Sequence, residues 1–384
     1  MHLSRRFSEL GRTNAVAAER ARLEDAGVLL TDLTDSNPTH FGLGEPAALE
    51  AVARSTLRAG CYEPDPRGVP AAREALAERF GGSAADYWLT ASTSEAYSWI
   101  LAVLTDVGDS VAIPAPGYPL IEPLAALADV RTLAYPSHYL EPYGWYADTD
   151  AIAAAAGVCA FVVVNPGNPT GAYADGPTIE AVVAACDRGD GALVIDGVFE
   201  PFAIEGKARS LAGEDRVVTF ALGGLSKLLC APQLKLGWMR LSGPEAALGP
   251  LRAALDKIAD TYLSVNAPVA MALPELLELS DGVVQRTRER LAVNVAAARR
   301  ILGEAPYRVR RCEGGWTAIV DVPRYADVDD LVLRLMREAG LSVHPGWYYD
   351  LASAGALALS LLPEPADFED RCRRLRAAVD AFAL

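Results

Sequence analysis

The hydrophobic and polar positions between about residues 70 and 240 follow two alternating spacings. Apolar residues recur at the helical spacing in four stretches, 70–80, 94–106, 119–128 and 176–188. Short, continuous apolar runs alternate with them, at 110–113, 159–164, 192–195 and 217–220. Such runs, separated by helices, are typical of βαβ units, so the pattern predicts a mainly parallel sheet covered by helices.

The chain on either side of this region has a different pattern. Before it, we predict helices at 14–25 and 45–60, with a loop rich in turn residues at 32–44. After it, we predict helices at 244–302, 327–339 and 366–382 and strands at 308–311, 317–320 and 357–361. This mixture is typical of a second, smaller α+β domain. We therefore divide the chain into an N-terminal arm with part of the small domain (1–44), a large domain (45–264) and a C-terminal small domain (265–384).

Composition and charge exclude several classes of protein. The 384 residues are 51% hydrophobic and 22% charged, which is typical of a folded globular chain. Asp and Glu outnumber Lys and Arg by 50 to 35, and the resulting net charge of −15 disfavours binding to nucleic acid. The longest uncharged apolar-rich run, 151–164, is too short to span a bilayer, and the N-terminus lacks the apolar stretch of a secretory signal. We therefore expect a cytoplasmic protein that does not bind membranes.

Lysine is rare in this chain. Only four of the 35 basic residues are lysines: Lys207, Lys227, Lys235 and Lys257. Because a lysine amine can act as a nucleophile and an arginine cannot, each of them is a candidate for covalent chemistry. The six cysteines form no C-x-x-C pair and the four histidines are far apart in the sequence, so no metal site is predicted.

Three polar residues come just after the carboxyl ends of three predicted strands: Asn168, Asp196 and Lys227. Each of them alone is unremarkable, because turn residues, caps and surface lysines are common at such positions. Open α/β sheets bind ligands at the carboxyl edge of their strands, where these side chains would meet. Together they suit pyridoxal phosphate: an amine forms a Schiff base, a carboxylate keeps the pyridine nitrogen protonated, and an amide donates to the ring oxygen.

The motifs around these residues resemble those of a known enzyme family. NPGNPTG at 165–171 matches the Asn-Pro-x-Asn-Pro-Thr-Gly signature of class I/II pyridoxal-phosphate-dependent aminotransferases, and the resemblance runs from about residue 30 to the C-terminus. It implies the α/β fold type I, in which a large domain with a mainly parallel seven-stranded sheet covered by helices is joined to a smaller α+β domain. It also implies that Asp196 binds the pyridine nitrogen and that Lys227, preceded by Ser226, forms the Schiff base.

Three segments upstream resemble other parts of the family's cofactor site. YEPDPRG resembles the segment whose tyrosine, here Tyr62, reaches the phosphate of the partner subunit's cofactor, which implies a homodimer. LTASTSEAY resembles a strand-to-helix turn that binds the phosphate, which implies Thr93 and Ser94 as ligands, and a helix N-terminus is suited to an anion. PAPGYP resembles the loop that lays an aromatic ring, here Tyr118, on the cofactor.

Three positions near the cofactor depart from the family's pattern. Lys235 stands where the family has a phosphate-binding arginine, so the charge is kept but the bidentate fork is lost. Gly224 stands where a phosphate-binding hydroxyl is usual, and Phe199 stands where a tyrosine donates to the ring oxygen. The resemblance therefore leaves Lys235 as a phosphate ligand and Asn168 as the main donor to the ring oxygen.

A fourth departure affects the substrate. The family binds the substrate's α-carboxylate with an arginine on a late strand, and the matching segment, LALSLLPEP, carries Ala358 at that place. Either the substrate is an amine or ω-amino compound that needs no carboxylate anchor, or another group holds the carboxylate. We favour a replacement anchor, for which the amides of loop 36–40, Asn168 and an arginine not yet identified are candidates. Asn37 in that loop and His344, in a loop that borders the family's substrate pocket, are the substrate-side candidates.

The leading hypothesis for the function is transfer of an amino group from an amino acid to a 2-oxo acid. A lyase that performs β-elimination with the same cofactor is the enzymatic alternative, and no local motif separates the two. A regulatory domain that binds pyridoxal phosphate is the non-enzymatic alternative. We disfavour it because only about 40 residues precede the cofactor domain, without a helix-turn-helix pattern, and because the chain is acidic.

Overall fold

The computed structural model describes residues 4–7, 13–323, 328–351 and 355–382. Its α-helices are α1 (Ala15–Asp25), α2 (Pro46–Arg58), α3 (Pro70–Phe80), α4 (Thr93–Leu104), α5 (Ile121–Leu127), α6 (Thr149–Ala154), α7 (Gly176–Gly189), α8 (Leu225–Leu228), α9 (Glu245–Tyr262), α10 (Ala267–Leu302), α11 (Val328–Ala339) and α12 (Pro365–Phe382). Its strands are β1 (Thr31–Asp32), β2 (Tyr87–Thr90), β3 (Ser110–Ala115), β4 (Arg131–Leu140), β5 (Gly144–Ala147), β6 (Ala160–Val164), β7 (Ala192–Asp196), β8 (Thr219–Gly224), β9 (Gly237–Ser242), β10 (Arg308–Val309), β11 (Thr317–Asp321), β12 (Leu341–Ser342), β13 (His344–Pro345) and β14 (Ala356–Ser360). Short 3₁₀ turns include Pro38–Phe41 and Gly346–Tyr349.

The central sheet has eight strands in the order β2-β9-β8-β7-β6-β3-β4-β5. Strands β8, β7, β6, β3 and β4 are parallel neighbours, β9 runs antiparallel between β2 and β8, and β5 runs antiparallel at the far edge. Because β2 is antiparallel to β9, it has the direction of the parallel strands. The carboxyl ends of β2, β3, β6, β7 and β8 therefore meet at one edge of the sheet, together with the start of β9.

Side chains of the central strands point alternately into two separate hydrophobic cores. In β6, Val162 packs in the core that holds residues of α4, α5 and α9, whereas Phe161 and Val163 pack in the core that holds residues of α6 and α7. In β7, Val194 and Leu193 divide in the same way. A strand that is buried on both faces has no polar side, which explains why both segments appear in the sequence as continuous apolar runs.

A second sheet has four antiparallel strands in the order β10-β11-β14-β13. The helix α12 packs against both α10 and α11, and α11 contacts β12 and β13. The 36-residue helix α10 also packs along α2 and α3, so one hydrophobic core continues from the helices beside the large sheet into the smaller sheet. The division of the chain at residues 44 and 264 stays a prediction.

The predicted α/β fold is confirmed, with one correction to the sheet. The predicted strands correspond to β3, β6, β7, β8, β10, β11 and β14. The sheet has eight strands rather than seven, because β5 folds back antiparallel onto β4. The hydrophobic pattern does not predict β4, since most of its side chains are exposed or half-buried and form no apolar run.

Among the described residues, no helix is both long enough and apolar enough to cross a membrane.

Candidate active site

A cavity of about 400 Å³ lies at the carboxyl edge of the central sheet. Asn168 in the loop after β6, Asp196 at the end of β7 and Lys227 in α8, directly after β8, all line it. The structure therefore brings together the amide, the carboxylate and the amine that the sequence places after three strands. The other predicted site residues that line this cavity are Thr93, Ser94, Tyr118, Ser226, Lys235 and His344.

The Lys227 amine lies next to two aromatic rings that pack against each other. Its Nζ is 5.0 Å from the centre of the Trp316 ring and 5.4 Å from the centre of the Phe199 ring. Burial lowers the pKa of this amine, and the neighbouring Cys230 and Asp196 act in the opposite direction. The amine is therefore easier to deprotonate than that of a surface lysine, as a nucleophile or general base requires.

Asp196 is buried, and both of its carboxylate oxygens accept hydrogen bonds. The Tyr97 hydroxyl donates to Oδ2 at 3.1 Å and the Val198 N–H donates to Oδ1 at 3.2 Å. Burial raises the pKa of Asp196, whereas these hydrogen bonds and the Lys227 charge lower it. Burial beside this carboxylate also raises the pKa of Tyr97 far above its usual value, so its hydroxyl stays protonated as a donor. A positive charge placed next to Asp196 would stabilise its ionised form.

The N-terminus of α4 forms an end of the cavity that is suited to an anion. Ser92 is the N-cap residue of this 12-residue helix, and its hydroxyl accepts the Glu95 N–H at 3.2 Å. Thr93 and Ser94 begin the helix, where free N–H groups and the helix dipole favour negative charge. The start of β9 packs against this turn, because a Cβ atom on Gly237 would lie 3.1 Å from the Ser92 carbonyl carbon. Lys235, two residues earlier and exposed, adds a positive charge.

Asn168 and Tyr118 complete the part of the cavity near the strand ends. The side-chain oxygen of Asn168 is buried and has no hydrogen-bond partner among the described residues. A buried amide oxygen without a partner costs free energy, so a polar ligand at this position would be favoured. Tyr118 follows β3, is 48% exposed and lies with its ring centre 6.5 Å from that of Tyr349.

The C-terminal part of the chain forms a further wall of the cavity. Strands β13 and β14 place His344 directly opposite Ala358. The Nδ1 atom of His344 is 3.0 Å from the Tyr349 hydroxyl, and its ring stacks on Tyr348.

At the start of α5, a carboxylate oxygen of Glu122 is buried and has no partner in the described part of the chain. Burial, together with the nearby negative charge of Asp350, raises the pKa of Glu122.

Two predicted site residues do not line the cavity of their own chain. The Asn37 side-chain oxygen accepts hydrogen bonds from the Thr39 N–H at 3.1 Å and the Thr39 hydroxyl at 2.7 Å, so it caps the turn Pro38–Phe41. An asparagine before a proline that begins a helical turn commonly has this role. Of the same loop, Thr34 and Ser36 line the cavity instead. Tyr62 is 76% exposed, and its contact with a partner subunit stays a prediction.

Among the residues that sequence reasoning missed, Tyr97, Glu122, Tyr348 and Tyr349 line the cavity. Tyr97 could have been found, because it lies four residues after Thr93 and therefore on the same face of α4. The other three reach the cavity only through tertiary packing. Trp316 belongs both to the core and to the cavity wall, since it is 2% exposed and lines the cavity.

The structure gives physical reasons for two of the departures around the cofactor. A Cβ atom on Gly224 would lie 3.3 Å from the Leu236 carbonyl oxygen, so a serine there would crowd the backbone of the adjacent strand. Phe199 is buried, and its ring packs edge-on against Trp316 with 5.4 Å between ring centres. Its place in this aromatic cluster requires no hydroxyl.

The sequence profile of the family described as "Aminotransferase class I and II" matches residues 43–370 of the chain. The chain belongs to this aminotransferase family. The "Alanine aminotransferase" of Mycobacterium tuberculosis is 27% identical to this aminotransferase, with 92% of this chain and 86% of the relative covered. The "Glutamate-pyruvate aminotransferase AlaA" of Haemophilus influenzae is 27% identical, with 68% of this chain and 67% of the relative covered.

Solved structures share the fold of this aminotransferase over nearly the whole chain. The alanine aminotransferase from Pyrococcus furiosus superimposes with a TM-score of 0.90 at 24% identity, covering 99% of this chain and 100% of the other. A double mutant of Thermus thermophilus aspartate aminotransferase superimposes with a TM-score of 0.86 at 24% identity, covering 98% and 100%. Family and relatives agree on an enzyme that transfers amino groups, and they do not favour the lyase.

The family implies pyridoxal phosphate as the cofactor, and the cavity of this aminotransferase fits that molecule. A phosphate suits the N-terminus of α4 with its hydroxyl groups, and a protonated ring nitrogen suits the buried carboxylate of Asp196. The Asn168 amide, whose NH₂ group can donate to the ring oxygen, and the Lys227 amine with its lowered pKa complete the set of groups.

Proposed function

We propose that this aminotransferase binds pyridoxal 5′-phosphate in the cavity of about 400 Å³ and there moves an amino group from an amino acid to a 2-oxo acid. The observation that carries this proposal is the placement of Asn168, Asp196 and Lys227. They follow three neighbouring parallel strands and line one cavity. An amide, a carboxylate and an amine in this arrangement are the groups that pyridoxal-phosphate chemistry uses.

Each part of the cofactor has ligands in this proposal. Thr93, Ser94, Ser226 and Lys235 bind the phosphate, Asn168 donates to the ring oxygen, Asp196 pairs with the ring nitrogen, and Tyr118 covers one face of the ring. Lys235 binds the phosphate as a point charge rather than as a fork, which makes this contact less directional.

Lys227 has two tasks in the proposed reaction. When bound, pyridoxal phosphate supplies an aldehyde that reacts with amines and a protonated ring that accepts the electrons of the substrate's Cα. The Lys227 amine holds the cofactor covalently and, once a donor has displaced it, carries the proton away from Cα. The lowered pKa of this amine leaves more of it unprotonated near neutral pH, which favours its action as a base.

The amino-transfer proposal predicts a stoichiometric half-reaction. The protein loaded with pyridoxal phosphate and mixed with an amino acid, without an acceptor, should form one pyridoxamine phosphate per active site and release no ammonia. The printed names of the relatives make alanine and glutamate the first donors to test. Absorbance, chromatography of the cofactor and an ammonia assay measure the outcome. With serine, which has the leaving group at Cβ that alanine and glutamate lack, ammonia released together with pyruvate would indicate a lyase. No change with any donor would favour the regulatory domain.

We also propose that two copies of the chain form a homodimer in which Tyr62 reaches the phosphate in the partner's cavity. Tyr62 is 76% exposed in the single chain. Leu57, close to it in the sequence, is also exposed, as are Tyr262 and Leu263, which come shortly before α10. Tyr262, Ser264 and Asn266 resemble a family segment that reaches the neighbouring subunit. An exposed tyrosine and several exposed apolar side chains are suited to an interface.

A hybrid dimer tests whether Tyr62 acts on the partner's cofactor. Tyr62→Phe removes a hydrogen bond to a charged group, which should weaken cofactor binding by about ten- to a hundredfold. A hybrid of one Tyr62→Phe subunit and one Lys227→Ala subunit should then contain one complete site per dimer. The affinity of this complete site for the cofactor should equal that of a wild-type site. It is measured as the amount of cofactor that borohydride fixes at low cofactor concentrations. Affinity as weak as in the Tyr62→Phe homodimer would show that Tyr62 acts within its own chain.

The cytoplasmic location and the absence of a nucleic-acid partner stay predictions, as does the identity of the amino donor and acceptor.

A further inference from the structure

His344 occupies the position in the cavity wall next to Ala358. In the register of β13 and β14, the two residues are directly opposite each other. Side chains in such a pair lie on the same face of the sheet with their Cβ atoms about 5 Å apart. Both residues line the cavity, so the imidazole stands beside the small side chain of Ala358.

The described lining of the cavity offers no guanidinium group to a substrate carboxylate. Among the described residues that line the cavity there is no arginine, and the two lysines are Lys227 and Lys235. The proposed function uses both lysines for the cofactor. The imidazole of His344 is then the remaining side chain in this part of the cavity that can carry a positive charge.

Two neighbouring tyrosines hold the His344 ring in one orientation. Its Nδ1 atom is 3.0 Å from the Tyr349 hydroxyl, and the ring stacks on Tyr348 with 4.5 Å between ring centres and 19° between planes. The Tyr349 hydroxyl can donate to Nδ1 or accept from it, so this contact persists whether the imidazole is neutral or protonated. Among the described residues, no hydrogen bond uses Nε2, which leaves that nitrogen for a ligand.

We propose that His344 binds the α-carboxylate of the amino donor through Nε2, in the space beside Ala358, and that Tyr348 and Tyr349 position its ring. This inference rests on the proposed function and names the group that replaces the missing arginine. It narrows the donor to an α-amino acid and excludes a simple amine as the preferred substrate.

The surroundings of His344 predict that binding of the carboxylate takes up a proton. Burial lowers the pKa of His344; Asp32 raises it and Arg20 lowers it further. Arg20 and Asp32 are themselves ion-paired at 2.8 Å, and Tyr348 and Tyr349 are uncharged near neutral pH because burial raises their pKa values. The free imidazole is therefore mainly neutral at pH 7.5. A carboxylate at Nε2 favours the protonated ring, so the affinity for the donor should fall as the pH rises.

A pair of non-reacting probes tests the anchor. 2-Methylalanine carries a carboxylate but has no Cα proton to lose. tert-Butylamine has a methyl group in place of that carboxylate and also has no Cα proton. Binding to the holoenzyme is measured by the absorbance change of the cofactor, and proton uptake by calorimetry in two buffers of different ionisation enthalpy. The wild-type protein should prefer 2-methylalanine by more than tenfold, which corresponds to about 1.4 kcal/mol. It should also take up more protons with 2-methylalanine than with tert-butylamine.

Variants of His344 distinguish an anchor from a structural residue. His344→Phe should reduce the preference for 2-methylalanine to below threefold, and the double variant His344→Ala/Ala358→Arg should restore it. His344→Gln can still donate from a nitrogen near the Nε2 position but cannot gain a proton. It should therefore bind 2-methylalanine without the extra proton uptake and with a flatter pH dependence. His138→Gln, which changes a half-exposed histidine on β4, should behave like the wild-type protein.

Three results would overturn the inference. These are a wild-type preference below tenfold, a preference that survives in His344→Phe, and unchanged proton uptake in His344→Gln. Failure of the proposed function has a different signature, because neither probe would then change the absorbance and no amino acid would yield pyridoxamine phosphate. If His344→Phe does not fold, the proton uptake of His344→Gln decides alone.

Discussion

Replacing Lys227 by alanine is expected to lower the rate of amino transfer by about four orders of magnitude, because it removes both the covalent attachment of the cofactor and the base at the substrate's Cα. The amine is placed for both tasks, since it lines the cavity at the end of β8 and has a lowered pKa. The rate is measured in single turnovers with excess amino acid. In the wild-type protein, borohydride should fix the cofactor on the peptide that contains Lys227, and this adduct should be absent from the variant.

Lys257→Ala is the matched control for this experiment. Lys257 is exposed on α9 and does not line the cavity, so its removal should leave both the rate and the borohydride adduct unchanged. A cofactor adduct found by mass spectrometry on Lys207, Lys235 or Lys257 of the wild-type protein would show that the assignment of the amine is wrong.

Replacing Asp196 by asparagine is expected to slow the half-reaction by about two to almost four orders of magnitude. The substitution keeps the shape of the side chain but removes the buried negative charge that would pair with the protonated ring nitrogen. Loss of one partner of a buried ion pair costs about 3–5 kcal/mol, and each 1.36 kcal/mol of lost transition-state stabilisation is a factor of ten. The asparagine oxygen can still accept the Val198 N–H, and its NH₂ group can donate to the Tyr97 hydroxyl oxygen, so the fold should persist.

The comparison of rate and cofactor content makes this prediction specific. The Asp196→Asn variant should still hold the cofactor covalently through Lys227 when the cofactor is supplied in excess, while its single-turnover rate is low. Asp187→Asn, on the exposed side of α7, is the control that changes charge far from the strand end. A rate within tenfold of the wild-type value in Asp196→Asn would contradict the proposed pairing of this carboxylate with the ring nitrogen.

The local pattern of the sequence predicts the strands that carry the candidate catalytic groups. The segments of β6 and β7 are continuous apolar runs because both of their faces are buried, and this pattern is visible without any knowledge of the fold. The turn residues that follow these runs place Asn168 and Asp196 at strand ends. By contrast, β4 has no apolar run, because most of its side chains are exposed or half-buried, and local reasoning does not find it.

The local sequence does not predict the role of a polar side chain that could bind either its own backbone or a ligand. Asn37 belongs to a loop that does reach the cavity, yet its side chain caps the turn that it begins, and Thr34 and Ser36 line the cavity in its place. A side-chain cap satisfies backbone N–H groups at once, whereas a contact with a ligand depends on packing between distant elements. The same uncertainty applies to His344, whose position beside Ala358 follows only from the pairing of β13 with β14.

The sequence by itself therefore determined the α/β class, the strand ends that carry Asn168, Asp196 and Lys227, and the loss of an arginine at Ala358. These are local properties, because hydrophobic periodicity and turn residues act over a few positions. Only the tertiary structure decided which side chains from other segments share the cavity, among them Glu122 and the pair of tyrosines that orient His344. Their distances to the candidate catalytic groups depend on the order and register of strands and on helix packing. Contacts between distant segments are not encoded in any single stretch of the chain.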